Sequence, residues 1–198
     1  MQNKFTTLLL VCLLFFGFSS FVNLGNSSFP ESNSSEQVLS GEKINWMTFE
    51  EAAKLNKKSK KKRKIFLDVY TNWCGWCKKM DKDTFGDPDI VKYMNEHYYA
   101  VKFNAEQKAS ITFNDKEYNF VSQGRRGYHE LAAWMLNGRM SYPTVVFMAE
   151  DMSLITAVPG YRTAKQMEPI LVFFGEDHYK EPGQDINQFI KNYVSRKE

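Results

Sequence analysis

Residues 65–103 narrow the choice of fold more than any other stretch. Ile65-Phe66-Leu67-Asp68-Val69-Tyr70 is a short apolar run of the kind that fills a buried strand. Trp73-Cys74-Gly75-Trp76-Cys77-Lys78 follows and opens a helix. Helix restarts at Asp87-Pro88, with Asp87 as N-cap, Pro88 at the first helical position, and Ile90, Val91 and Met94 toward the core. Residues 98–103 are strand again. Strand, helix and strand in that order make a βαβ unit, whose two strands run parallel. The chain is therefore α/β.

The remainder completes such a domain over residues 44–198. Thr48 and Glu51 form a capping box for a helix to about Asn56. Two short apolar segments flank Asn114-Asp115 and predict a hairpin inserted over residues 108–126. Residues 130–137 read as a helix with Leu131, Trp134 and Met135 on one face and Gly138 closing it. A strand from Pro143 to Met148 turns at Glu150-Asp151 into an antiparallel strand over residues 154–158. Thr163 and Gln166 cap a late helix that Pro169 should kink or split. Residues 184–196 form a last helix. The expected architecture is a central mixed sheet with helices on both faces, one βαβ half and one ββα half.

The N-terminal stretch differs in kind. Lys4 precedes an apolar run over residues 8–16, and the small residues Gly17, Ser19 and Ser20 follow it. This pattern reads as a signal peptide over residues 1–19, or as an uncleaved anchor of nearly spanning length over residues 5–22. Val11 is too bulky to precede a lipidated cysteine at Cys12. Residues 20–43, rich in Asn, Ser and Glu, read as a flexible linker. The chain is thus expected to be exported, to a periplasmic or extracellular location, with a membrane tether through its N-terminus if the segment is retained. Export also removes the nucleic-acid reading of the basic run over residues 57–64, which becomes a solvated loop. The net charge of +3 points to no particular partner.

There are three cysteines, and Cys12 belongs to the export segment. Cys74 and Cys77 close too short a loop to stabilise a scaffold, so the pair reads as chemistry. Zinc would need further ligands, and His97, His129 and His178 are scattered; a haem attachment would need His where Lys78 stands. Thiol–disulfide exchange needs an accessible thiolate and a second thiol to resolve the mixed disulfide. At a helix start, Cys74 lies where free N–H groups and the helix dipole favour a thiolate. Cys77 falls one turn later, as the resolver. No bound cofactor is required. Asp68 on a buried strand must have a partner or a task. It is either one half of a structural ion pair, or carries a raised pKa suited to proton transfer. Trp73 and Trp76 are either core aromatics or contacts for partner proteins.

These features together resemble the thioredoxin superfamily. Residues 73–78 are similar to its Trp-Cys-x-x-Cys-Lys signature, with Gly75-Trp76 where ordinary thioredoxins have Gly-Pro. The resemblance implies that Asp68 handles the resolver's proton and that Lys102 is its partner. It also implies that Tyr142-Pro143-Thr144 is a cis-Pro loop, and that Gly160 follows the last strand. Substrate would be held by Trp73, Gly75, Trp76, Tyr142 and Pro143, with an extended segment pairing along the Tyr142 backbone. Residues 77–88, including Asp81 and Thr84-Phe85, are similar to the C-terminal periplasmic domain of the transmembrane thiol–disulfide interchange reductase. The implied function is exchange with protein thiols and disulfides, run as a reductant fed by a membrane electron donor. An oxidase or isomerase, or a binding module with a static disulfide, are the alternatives.

Overall fold

The computed structural model describes residues 41–194. The expected signal peptide or anchor, nearly all of the expected linker and the last residues of the expected final helix lie outside these. In chain order the strands are β1 (Trp46–Met47), β2 (Lys64–Tyr70), β3 (Tyr98–Asn104), β4 (Ile111–Phe113), β5 (Lys116–Tyr118), β6 (Phe120–Gln123), β7 (Arg126–His129), β8 (Thr144–Met148) and β9 (Leu154–Pro159). The helices are α1 (Phe49–Lys58), α2 (Gly75–Asp83), α3 (Pro88–His97), α4 (Glu130–Met135), α5 (Ala164–Gly175) and α6 (Ile186–Asn192). A 3₁₀ turn, His178–Lys180, lies between the last two.

The main sheet has the order β1-β3-β2-β8-β9. β3 pairs in parallel with β1 and β2, and β8 is antiparallel to both β2 and β9. The βαβ and ββα halves are therefore as expected. β1 is too short to show a pattern in the sequence. Because side chains alternate across a strand, Ile65, Leu67 and Val69 pack on one face with Phe49, Val101, Phe103 and Leu131. Phe66 points the other way, among Met80, Ile90, Met94, Phe147 and Leu171. One face is thus covered by α1 and α4, the other by α2, α3 and α5. By the same parity, Asp68 and Lys102 belong to the face that carries α2.

Local chemistry explains the helix starts. Thr48 Oγ1 accepts the Glu51 N–H at 3.2 Å while Glu51 Oε2 accepts the Thr48 N–H at 2.8 Å. Asp87 accepts from Asp89 and Ile90 N–H groups, and Thr163 and Gln166 complete a second capping box. Pro169 does not split α5, which is continuous through it. The missing N–H removes one hydrogen bond, and the burial of Met167, Ile170, Leu171, Phe173 and Phe174 around it offsets that loss. Lys64 departs from the solvated-loop reading of the basic run. It is buried at the start of β2, its charge matched by Glu150 at 2.7 Å and Asp177 at 2.8 Å.

The insertion is two hairpins rather than one. β4–β5 turns at Asn114 and Asp115, both at positive φ, as that dipeptide suggests. The expected second strand ends at Tyr118 because Asn119 is diverted. Its N–H donates to Glu130 Oε2 (2.7 Å), and its carbonyl accepts the Glu130 N–H (2.9 Å) at the start of α4. The chain then forms β6–β7, turning at Gly124 and Arg125 with Gly124 at φ +59°. α4 is shorter than expected, and Trp134 covers Phe113 and Tyr118 instead of entering the core.

Gly127 is fixed by space. A Cβ there would lie 2.2 Å from the Phe120 ring and 2.4 Å from the Val121 carbonyl oxygen across the ladder. The ring can swing away, but the backbone oxygen cannot. Gly127→Ala is expected to lower stability by about 1–3 kcal/mol, measured by urea denaturation. It should also speed amide exchange in β6–β7 before that in the main sheet.

Candidate active site

β2 delivers the chain to the site. After Tyr70 the backbone turns, and the Cys74 N–H donates to the Thr71 carbonyl at 3.1 Å. Cys74 is the N-cap of α2: its Sγ accepts the Cys77 N–H at 3.1 Å. A helix start leaves such N–H groups without intrahelical partners, so the sulfur takes the place usually filled by a capping oxygen. Cys74 and Cys77 are joined as a disulfide, with Cα atoms 5.3 Å apart.

The sulfur-bearing residues are 5% and 2% exposed, whereas Trp73 and Trp76 stand out at 52% and 60%. Neither indole is a core aromatic. Trp73 Nε1 donates to Glu106 (3.0 Å), its ring meets Tyr142 edge-on at 5.9 Å, and the Arg126 guanidinium lies over it at 4.5 Å. Trp76 leans on Tyr161 at 5.3 Å, and Tyr161 is in turn held by Asp83. A Cβ on Gly75 would meet open space, so the helix start is unobstructed there.

The Tyr142-Pro143 bond is cis. Gly160, at φ +93°, donates its N–H to the Pro143 carbonyl at 2.8 Å and ties this loop to the end of β9. Tyr142 is half-buried, and burial followed by the Glu106 charge pushes its hydroxyl up to about 12. The loop therefore reaches the cysteine pair through the Trp73–Tyr142 contact.

Asp68 and Lys102 are directly opposite each other in the β2–β3 register. Lys102 Nζ donates to Asp68 Oδ2 at 2.6 Å and also pairs with Asp81 on α2. Asp68 Oδ1 is buried and has no hydrogen-bond partner among the described residues. Burial raises the Asp68 carboxyl to about 6, against the opposing pull of Lys102. Burial also works against the Lys102 charge, but the two carboxylates outweigh it and hold the ammonium above its usual range. The ammonium lies over the rings of Trp46, Tyr70 and Phe85 at 5.0, 5.1 and 5.7 Å.

The histidines are engaged elsewhere. His129 accepts the Leu131 N–H at Nδ1, which leaves Nε2 to donate to the Ala109 carbonyl, and burial lowers its pKa. His97 stacks on Tyr93, and His178 faces Glu176 and Glu181. The structure thus brings Cys74, Cys77, Trp73, Tyr142 and Pro143 to one end of the sheet. It places Asp68 and Lys102 under α2, where Lys102 links Asp68 to Asp81 of that helix. Several participants escaped the sequence reading, among them Trp46 beside Lys102 and Tyr161 beside Trp76. Tyr70 was detectable, since it shares strand parity with Asp68. Glu106 and Arg126 reach Trp73 only through the fold and carry no local signal.

Residues 49–175 match the family model of a thioredoxin-like domain. A thioredoxin-fold protein from Helicobacter pylori superposes with TM-score 0.50 at 21% identity, covering 66% of this chain and 83% of that one. A thioredoxin from Thermus thermophilus also gives 0.50, at 14% identity, covering 71% and 97%. Among curated relatives, uncharacterized protein B0495.5 of Caenorhabditis elegans is 25% identical over 113 residues. That match spans 57% of this chain and 13% of the worm protein.

Proposed function

Because the chain belongs to the thioredoxin-like domain family, we propose that it is a thiol–disulfide oxidoreductase acting on protein substrates. The observation that carries this reading is Cys74 capping α2 through its sulfur while bonded to Cys77 one turn on. In the reduced protein, the same N–H would stabilise a Cys74 thiolate.

That thiolate attacks one sulfur of a substrate disulfide. A mixed disulfide with Cys74 forms, and the other substrate sulfur leaves as a thiolate. Cys77 gives up its proton, attacks Cys74 Sγ and expels the second substrate sulfur. The substrate has gained two electrons and the Cys74–Cys77 disulfide has formed. Asp68 is the proton acceptor in this scheme, since Lys102 occupies Oδ2 and leaves Oδ1 open to a proton. Lys102 positions the carboxylate. Tyr142 and Pro143 offer backbone to an extended substrate segment, and Trp73 and Trp76 supply apolar contact.

The direction we propose is reduction. Two carboxylates flank the pair, Asp68 on β2 beneath the helix and Asp81 within it, and the three histidines are committed elsewhere, so little beyond the helix start favours thiolate over disulfide. The similarity of residues 77–88 to the periplasmic domain of the transmembrane reductase supports the same direction. With it come an exported location, signal-directed or tethered through the N-terminus, and a membrane electron donor. No helix among the described residues is long and apolar enough to cross a membrane.

Equilibration with glutathione redox buffers, read by alkylation and mass, tests the direction. The expected reduction potential lies near that of thioredoxin, about −270 mV. A value near the strong oxidant at about −120 mV would overturn the reductase reading.

A further inference from the structure

The β6–β7 hairpin has no part in the chemistry above, yet it lies against the site. Arg126 at its turn covers Trp73, the residue before Cys74. Between the hairpin and Trp73 runs an open groove of about 470 Å³ whose wall includes Phe120 and Ser122. Its charged lining is Lys108, Arg125 and Arg126 against the single anion Glu106. Glu106 already accepts the Trp73 Nε1 hydrogen bond. All three cations are exposed, and none is in an ion pair among the described residues. Lys108 lies over the Phe120 ring, which holds its ammonium at the groove.

We propose that this groove receives an acidic segment of the substrate polypeptide adjoining the disulfide to be reduced. The proposal deepens the exchange reading and rests on it. Charge selects the occupant: an excess of unpaired cations attracts carboxylates and repels lysines. Position ties it to the reaction, because Trp73, the residue before Cys74, is part of the groove's wall. Phe120 and Trp73 give that chain an apolar floor, and Arg126 closes one side.

The test is single-turnover oxidation of the pre-reduced protein by disulfide peptides that differ only in flanking residues: a Glu run, a Ser run or a Lys run. The uncharged reagent 2,2′-dithiodipyridine serves as the reference oxidant. The Glu peptide is expected to react about tenfold faster than the Ser peptide, with the gap shrinking at high salt. The Lys peptide should react more slowly than either. The double variant Lys108→Glu/Arg125→Glu leaves the Arg126–Trp73 stack in place. It should reverse the order while oxidising with dithiodipyridine at the wild-type rate. Equal rates for the three peptides, with a normal dithiodipyridine rate, would overturn the groove assignment and leave the exchange reading standing. Failure to react with any disulfide, the reagent included, would remove the exchange reading and the groove assignment with it.

Discussion

Cys74→Ser is expected to lower insulin reduction by at least about a thousandfold and to abolish covalent capture of substrate. Cys77→Ser should lose turnover to a similar degree yet accumulate the mixed disulfide. The asymmetry follows from position. Cys74 receives the Cys77 N–H at the helix start, whereas Cys77 is the more buried partner within the first turn. Serine is itself a favoured N-cap, so Cys74→Ser keeps the helix start and the lost activity is chemical. Closing so short a loop contributes little chain entropy, and both variants should keep nearly the Tm of the reduced wild type. Non-reducing electrophoresis with a disulfide-bearing protein reads the outcome. Capture by Cys74→Ser with none by Cys77→Ser would reverse the assignment of roles. A binding module with a static disulfide would instead retain its partner in both variants.

Asp68→Asn should make the protein more stable and slower. The folded-state pKa is raised from 3.8 to about 6 by burial. Asp68 therefore contributes fully below pH 3.8, and the contribution is lost as pH rises through about 6. Forcing the buried carboxyl to ionise costs roughly 3 kcal/mol by then. Asparagine stands in for the neutral acid. Lys102 keeps Asp81 as a partner, so no cation is stranded. Urea denaturation should show the variant more stable by up to about 3 kcal/mol at pH 8 and nearly equal to the wild type at pH 3.5. Resolution of the mixed disulfide should slow on the order of a hundredfold, while its formation by Cys74 is little changed. A stability gain without the kinetic split would make Asp68 a structural residue only.

Much of this was legible because it is local or periodic. Thr48 with Glu51, Asp87 with Pro88, and Thr163 with Gln166 announce helix starts through side chains that satisfy nearby N–H groups. Asn114-Asp115 announces its turn through tolerance of positive φ. Asp68 was conspicuous as the one charge in the apolar run over residues 65–70, and the resemblance to thioredoxins supplied Lys102 and the cis bond at Pro143. What escaped notice depends on tertiary contacts. β1 is two residues long. The β6–β7 strands alternate weakly, with Arg126 and Gly127 where a strand usually carries apolar residues. Their pairing depends on Asn119 turning away to bind Glu130. Pro169 is held in a helix by packing that no window around it reveals.

Lys64 gives the molecule a second electrostatic pole. Its ammonium joins the β8–β9 turn, through Glu150, to the end of α5, through Asp177. Burial works against the Asp177 charge, yet Lys64 and Lys180 hold its carboxyl below the usual range, so the Lys64–Asp177 arm of this clasp is intact above about pH 4 and loosens only in stronger acid. Asp68 behaves in the opposite sense. Acidification therefore quietens one extremity of the sheet while it slackens the other, and the protein should withstand moderate acid well before the distal end begins to fray.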